Sequence, residues 1–231
     1  MNASNDAKKI RLVMHLRTMG ITDTGVLGAM ERVPREAFIP PAFRDQAWED
    51  TALPIGLGQT ISQPLVVAMM TQALALTDRD KVLEIGTGCG YQAAVLARLA
   101  RRVYTIERHR PLFALAQKHF EELKIRNVTA LCADGMKGWP EASQVPFDKI
   151  IVTAAARERP PQALFDQLRE GGLMVIPVGT TTSDQVLKLY RKESAETFAI
   201  RDLMPVRFVP LLPDVAEAAE YSREALAEMT G

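Results

Sequence analysis

The sequence has little cysteine, no excess charge of either sign and no long apolar run, and each shortage removes a class of protein. Cys89 and Cys132 are the only cysteines in 231 residues. That is too few for a disulfide framework and matches the usage of a reducing compartment. Lys plus Arg and Asp plus Glu number 28 each, so no basic excess exists to hold a polyphosphate, and no nucleic-acid partner is expected. The richest apolar stretch, 65–76, is interrupted by Thr71 and Gln72 and is too short to span a bilayer. Residues 1–9 are polar and of mixed charge, with no apolar signal core behind them. A soluble cytoplasmic protein with no membrane contact is expected. Histidine is also scarce: only His15, His109 and His119 occur. A hydride-transfer enzyme would usually want an acid–base residue in its later part, and no histidine occurs in 120–231. No Cys/His spacing suggests a metal site, and no Gly-x-Ser-x-Gly points to a serine hydrolase.

What is present is an ordinary globular mixture, 47% hydrophobic and 24% charged, able to bury a sizeable core. Ile10, Val13, Met14 and Arg17 fall on one face at helical spacing, with Gly20 as a stop. Thr22 or Asp23 can cap a second helix striped by Val26, Leu27, Met30 and Val33. Prolines 34, 40 and 41 then break regular structure, 53–63 reads as a glycine-punctuated loop, and Pro64 opens a third helix. From residue 81 the texture alternates. Strands are expected at 81–85, 102–106, 128–132, 149–153 and 172–178, with helices at 91–100 and 112–124. Two further strands are expected at 185–191 and 197–206, and an Ala- and Glu-rich helix at 214–229. This rhythm predicts an α/β fold with a doubly wound, mostly parallel sheet and an N-terminal helical cap. Ligands of such sheets bind beyond the carboxyl ends of the strands.

The first strand end carries Glu84-Ile-Gly86-Thr87-Gly88-Cys-Gly90 ahead of a helix. Small residues there turn the chain sharply and let a ligand approach the backbone. A tight β–α turn with no ligand has the same look. A dinucleotide fingerprint needs Gly-x-Gly-x-x-Gly, and here the third glycine arrives one position early. Glu107 closes the second strand, where an acid can bind ribose hydroxyls or remain a solvated charge. Asp134 follows the third strand, as an acceptor for an adenine amino group or as part of an ordinary turn with Gly135. Glu84 is the harder acid to dismiss, because a charge in an apolar strand is costly to bury unpaired. Carboxylates beside a glycine loop repel a pyrophosphate and suit a cofactor with amino and sulfonium cations. The crevice favours S-adenosylmethionine over NAD. Both cysteines read as small buried hydrophobes.

Residues 82–94, VLEIGTGCGYQAA, resemble the cofactor motif of the protein-L-isoaspartate O-methyltransferases, which are Rossmann-like methyltransferases. The upstream run 53–64, LPIGLGQTISQP, resembles a more family-specific motif, and further similarities lie at 33–35, 134–140, 147–155, 172–179 and 206–211. Cys89 stands where such sequences more often have serine. The resemblance implies methyl transfer from S-adenosylmethionine to the α-carboxylate of L-isoaspartyl residues in damaged proteins and peptides, the ester then closing to a succinimide. It also implies cofactor contacts from Glu84, Gly86, Thr87, Gly88, Gly90, Glu107, Asp134, Gly135 and Thr153. Ser62 matches the active-site serine, with Gln59, Thr60 and Val209 beside the acceptor. One methyltransferase domain is expected: cap and acceptor loop at 1–63, cofactor-binding core with its last strands at 64–212, and a terminal helix at 213–231. A carboxylate acceptor with an unperturbed pKa of roughly 4 is already a nucleophile at neutral pH, so no general base is required. The competing reading of Ser62 is a helix cap before Pro64. Competing functions are a methyltransferase for another carboxylate, an NAD(P)-dependent oxidoreductase and a catalytically silent cofactor-binding module.

Overall fold

The structure, a computed structural model, describes residues 3–217 and Tyr221. The chain begins with α1 (Ala3–Thr18) and α2 (Thr24–Arg32). The Asp23 carboxylate caps α2 by accepting from the Val26 N–H, and Val26, Leu27, Met30 and Val33 are all buried as expected. α1 turns the other way. Its buried residues are Leu12 and Leu16, whereas Ile10 and Met14 are 56% and 63% exposed. Two apolar stripes at i, i+4 compete on this helix, and contact with α2 and with α3 (Pro64–Ala73) selects Leu12 and Leu16.

Two 3-10 turns, Arg35–Phe38 and Pro41–Gln46, follow the prolines. The expected loop at 53–63 is instead an antiparallel hairpin, β1 (Leu53–Gly56) with β2 (Gln59–Ile61). Leu57 and Gly58 both have positive φ, 55° and 67°, which gives the strands the primed two-residue turn they need. Leu53, Ile55 and Ile61 bury one side of it. Glycine and proline had suggested a loop; alternate burial makes it a strand pair.

The main sheet comprises β3 (Lys81–Ile85), β4 (Arg102–Glu107), β5 (Val128–Cys132), β6 (Phe147–Val152), β7 (Leu168–Val178), β8 (Val186–Lys192) and β9 (Phe198–Pro205). Its order is β5-β4-β3-β6-β7-β8-β9. The first five in that order run parallel, and β8 and β9 return antiparallel. α4 (Tyr91–Leu96), α5 (Arg110–Glu122) and α6 (Gln162–Gln167) connect strands, and α6 had no expected counterpart. β7 begins four residues before the expected 172, passing Gly171 at φ 72°.

The chain proceeds outward from β3 through β4 to β5, then restarts on the other side of β3 with β6. That reversal opens a crevice at the carboxyl ends of β3 and β6. The cap is not a separate body: Leu16, Met30, Phe38 and Ile55 share one buried cluster with Tyr91, Ala94 and Val95 of α4. No helix among the described residues is long and apolar enough to cross a membrane. The expected C-terminal helix does not start where anticipated: Asp214 has φ 59° and 213–217 form none. Apart from Tyr221, residues 218–231 lie outside the described residues.

Candidate active site

A cavity of about 520 Å³ occupies the crevice. One wall is the β3–α4 loop and the end of β4, contributing Gly86, Thr87, Gly88 and Glu107. Thr153, after β6, and Gly135 complete that side. The facing wall is the hairpin and the turn after it, with Gln59, Thr60 and Ser62, closed by Val209.

Gly86 has φ 96°, and a Cβ there would run into the Thr153 hydroxyl. That hydroxyl donates to the Gly86 carbonyl at 2.6 Å, so the loop is held from the β6 side. Glu107 holds it from the β4 side. Its Oε2 accepts from the Gly88 N–H at 2.8 Å and its Oε1 from the His109 N–H at 2.9 Å. Burial pushes the Glu107 carboxyl up, against the pull of the N–H groups of His109, Gly88 and Arg108. A carboxylate offers about four acceptor positions; those left over suit the hydroxyls of a ribose. The bare, positive-φ backbone at Gly86 and Gly88 fits a ligand drawn close to the loop. These residues therefore fit the sugar and amino-acid portions of S-adenosylmethionine.

Three of the expected cofactor residues are not in the wall. Glu84 is fully buried, because alternation along β3 sends it away from the cavity-lining Ile85. Its Oε2 accepts from the Thr105 hydroxyl at 2.5 Å, and the Thr105 hydroxyl lies 2.6 Å from that of Thr87. Thr105 has one proton, so Thr87 donates to Thr105 and Thr105 to Glu84. The acid anchors the loop from below. Gly90 faces Phe120: a Cβ there would come within 2.8 Å of the ring. The missing side chain makes room for that ring. Asp134 caps the 3-10 turn Gly135–Lys137, accepting from the Met136 N–H at 2.9 Å, and pairs with Lys137 at 3.2 Å. Burial raises its pKa, but the N–H groups of Asp214 and Met136 and the Lys137 ammonium outweigh that and hold it below the usual range.

Glu84 also differs from expectation in charge. Burial, partly opposed by the Thr105 bond and reinforced by Glu107, raises its pKa from 4.5 to about 8. Between those values the folded protein holds a proton that the unfolded chain has released. Glu84's contribution to stability is thus complete below pH 4.5 and lost as pH rises through about 8. A Glu84→Gln variant should gain stability relative to the parent across that window, read as the difference between denaturation midpoints. A constant difference would mean that Glu84 ionises normally.

On the acceptor side, the residue before Pro64 is Gln63, and it gives α3 no side-chain cap. Asp50 supplies one from outside the helix. Its Oδ1 accepts from the Leu65 N–H at 2.8 Å, and its Oδ2 from Gln63 Nε2 at 2.9 Å. The cap position that competed for Ser62 is therefore filled, and Ser62 lines the cavity instead. The Val209 carbonyl accepts from the Ala155 N–H at 2.8 Å, fixing that closing segment to the end of β6.

Sequence reasoning did not single out Ile55, Leu57, Tyr91, His109, Leu112 or Tyr221 as wall residues. His109 follows a strand end, the one available signal. Tyr221, whose hydroxyl is 3.3 Å from His109 Nδ1, gave none.

A profile of the protein-L-isoaspartate (D-aspartate) O-methyltransferase family matches residues 7–216. A protein-L-isoaspartate O-methyltransferase of Rhodospirillum centenum is 60% identical over 223 residues, 96% of this chain and 99% of that protein. One from Parvibaculum lavamentivorans is 57% identical, covering 92% of this chain and 95% of its own length. Among solved structures, a protein-L-isoaspartate O-methyltransferase superimposes with TM-score 0.78 at 30% identity, over 90% of this chain and 67% of that one. A Plasmodium falciparum protein assigned to the same class, solved with S-adenosyl-L-homocysteine, gives TM-score 0.75 at 26% identity over 87% and 97%. The fold agrees with these solved structures, and the chain belongs to the protein-L-isoaspartate O-methyltransferase family.

Proposed function

We propose that this cavity brings S-adenosylmethionine and the α-carboxylate of an L-isoaspartyl residue face to face, in damaged proteins and peptides of the cytoplasm. The observation that carries the reading is that one cavity is walled by Gly86, Gly88 and Glu107 on one side and by Gln59, Thr60 and Ser62 on the other. The cofactor supplies a methyl group on a sulfonium, ready for displacement. Glu107 holds ribose hydroxyls, and Gly86 to Gly88 leave room for the amino-acid arm. Gly135 and Thr153 line the same side, and Asp134 and Glu84 act by fixing the turn and loop that carry these contacts.

The chain's task toward the acceptor is alignment, because the carboxylate is already ionised at neutral pH. The Ser62 hydroxyl donates to one carboxylate oxygen and leaves the other to attack. The Gln59 and Thr60 backbone and Val209 confine the peptide, while apolar Ile55 and Leu57 help strip water from the reacting oxygen. The buried cluster shared by cap and core supports reading the whole chain as one domain.

Ser62→Ala tests the assignment. With an isoaspartyl peptide and labelled methyl donor, turnover should fall about tenfold, the worth of one hydrogen bond to a charged group. Affinity for S-adenosylhomocysteine should not change. Unchanged turnover would remove Ser62 from the acceptor site.

A further inference from the structure

Arg35 is a buried cation that the cofactor and acceptor contacts leave without a role. It opens the 3-10 turn after Pro34, and its side chain is 0% exposed. No carboxylate lies within ion-pair reach of it among the described residues. Its Nη2 donates to the Ser62 carbonyl at 2.8 Å and to the Thr51 carbonyl at 3.3 Å. Nε and Nη1 have no hydrogen-bond partner among the described residues. The guanidinium lies over the Tyr91 ring, 4.9 Å from its centre, and that ring packs edge-on against Phe38 at 5.5 Å. Ser62 and Tyr91 both line the cavity, so the charge sits one side chain behind the acceptor wall.

Burying an unpaired charge is expensive, and a guanidinium does not escape by losing its proton. Burial lowers the Arg35 pKa, opposed by Tyr91, Cys89 and the Asp50 carboxylate. Two properties of the place give the expense a purpose. The Ser62 carbonyl is fixed at its oxygen while Asp50 fixes Gln63 and Leu65 just beyond. With Ile61 paired to Leu53 just before it, the Ser62 backbone is held on both sides, and the hydroxyl inherits that position. The positive charge, which Asp50 acts on electrostatically without forming an ion pair, also favours an anion at this end of the cavity.

We propose that Arg35 is the positioning residue of the acceptor site, setting the Ser62 hydroxyl by its carbonyl and biasing the pocket toward a carboxylate. This rests on Ser62 being the acceptor-side donor. A mutant cycle with Arg35→Lys and Ser62→Ala tests it, because lysine keeps the charge but loses the planar fork. Arg35→Lys should lower kcat/KM for an isoaspartyl peptide about tenfold, with S-adenosylhomocysteine affinity and melting temperature close to the parent's. In the Ser62→Ala background the same change should cost less than about twofold, the non-additivity expected of residues acting as a unit. Arg35→Met, which removes the charge as well, should lose more than Arg35→Lys; should it fail to fold, the lysine cycle still decides. A full tenfold loss in the Ser62→Ala background, or a parallel loss of cofactor affinity, would overturn the proposal and leave Ser62 in place. A Ser62→Ala enzyme as active as the parent would remove both.

Discussion

Of two synthetic peptides that differ only in the linkage of one residue, the L-isoaspartyl isomer should be methylated at least about a hundredfold faster than the L-aspartyl isomer, since a displacement near 1 Å costs roughly that much in a reaction that depends on alignment. The isomers carry the same charge, so the positive field behind Ser62 attracts both. They differ in geometry: the isoaspartyl link lengthens the backbone by a methylene and leaves the α-carboxylate on a shorter arm. Val209, pinned to the end of β6, and Ser62, pinned by Arg35 and Asp50, cannot follow a misplaced carboxylate. The measurement is initial rate with labelled methyl donor, the product being a base-labile ester. Comparable rates on both isomers would contradict the acceptor assignment.

Glu107→Ala should weaken S-adenosylhomocysteine binding by about ten- to a hundredfold, because hydrogen bonds to a carboxylate are worth roughly 1.5–3 kcal/mol. Two losses combine. The ribose hydroxyls lose their acceptor, and the N–H groups of Gly88 and His109 lose theirs, so the loop itself loosens. Calorimetric titration gives the dissociation constant, and Glu107→Gln separates the two effects. The amide keeps one acceptor oxygen and should recover part of the affinity. An unchanged constant in folded Glu107→Ala would exclude the carboxylate as a ligand.

Most of the sheet was legible because its parallel strands are short, mostly apolar runs between helical stretches: 81–85 and 128–132 fall where expected. The loop from Gly86 to Gly88 was legible because its backbone angles admit little else. Local pattern failed where tertiary contact chose between equivalent options. Either stripe of α1 could have faced inward, and the neighbours picked Leu12 and Leu16. The acids were recognised as unusual, but Glu84 points below the loop and Asp134 is engaged by its own turn. Strand alternation, applied from Ile85, would have placed Glu84 correctly. Arg35 was invisible as a participant, since only folding brings the turn after Pro34 against a carbonyl 27 residues later. The cap on α3 was out of reach for the same reason: Asp50 is too far upstream for a local capping rule.

The hairpin that carries the acceptor wall pairs with itself and not with the seven-stranded sheet. Gly86, Gly88 and Glu107 belong to the end of that sheet. The two halves of the reaction therefore rest on separate hydrogen-bonded frames. Drift in residues 53–62 can retune which aged chains are admitted while the methyl-donor half stays as it is. The constraint on that drift is the buried seam where Leu53, Ile55 and Ile61 meet Tyr91, whose volume must be kept. A lineage facing a new spectrum of protein ageing can alter what it mends without relearning how to mend it.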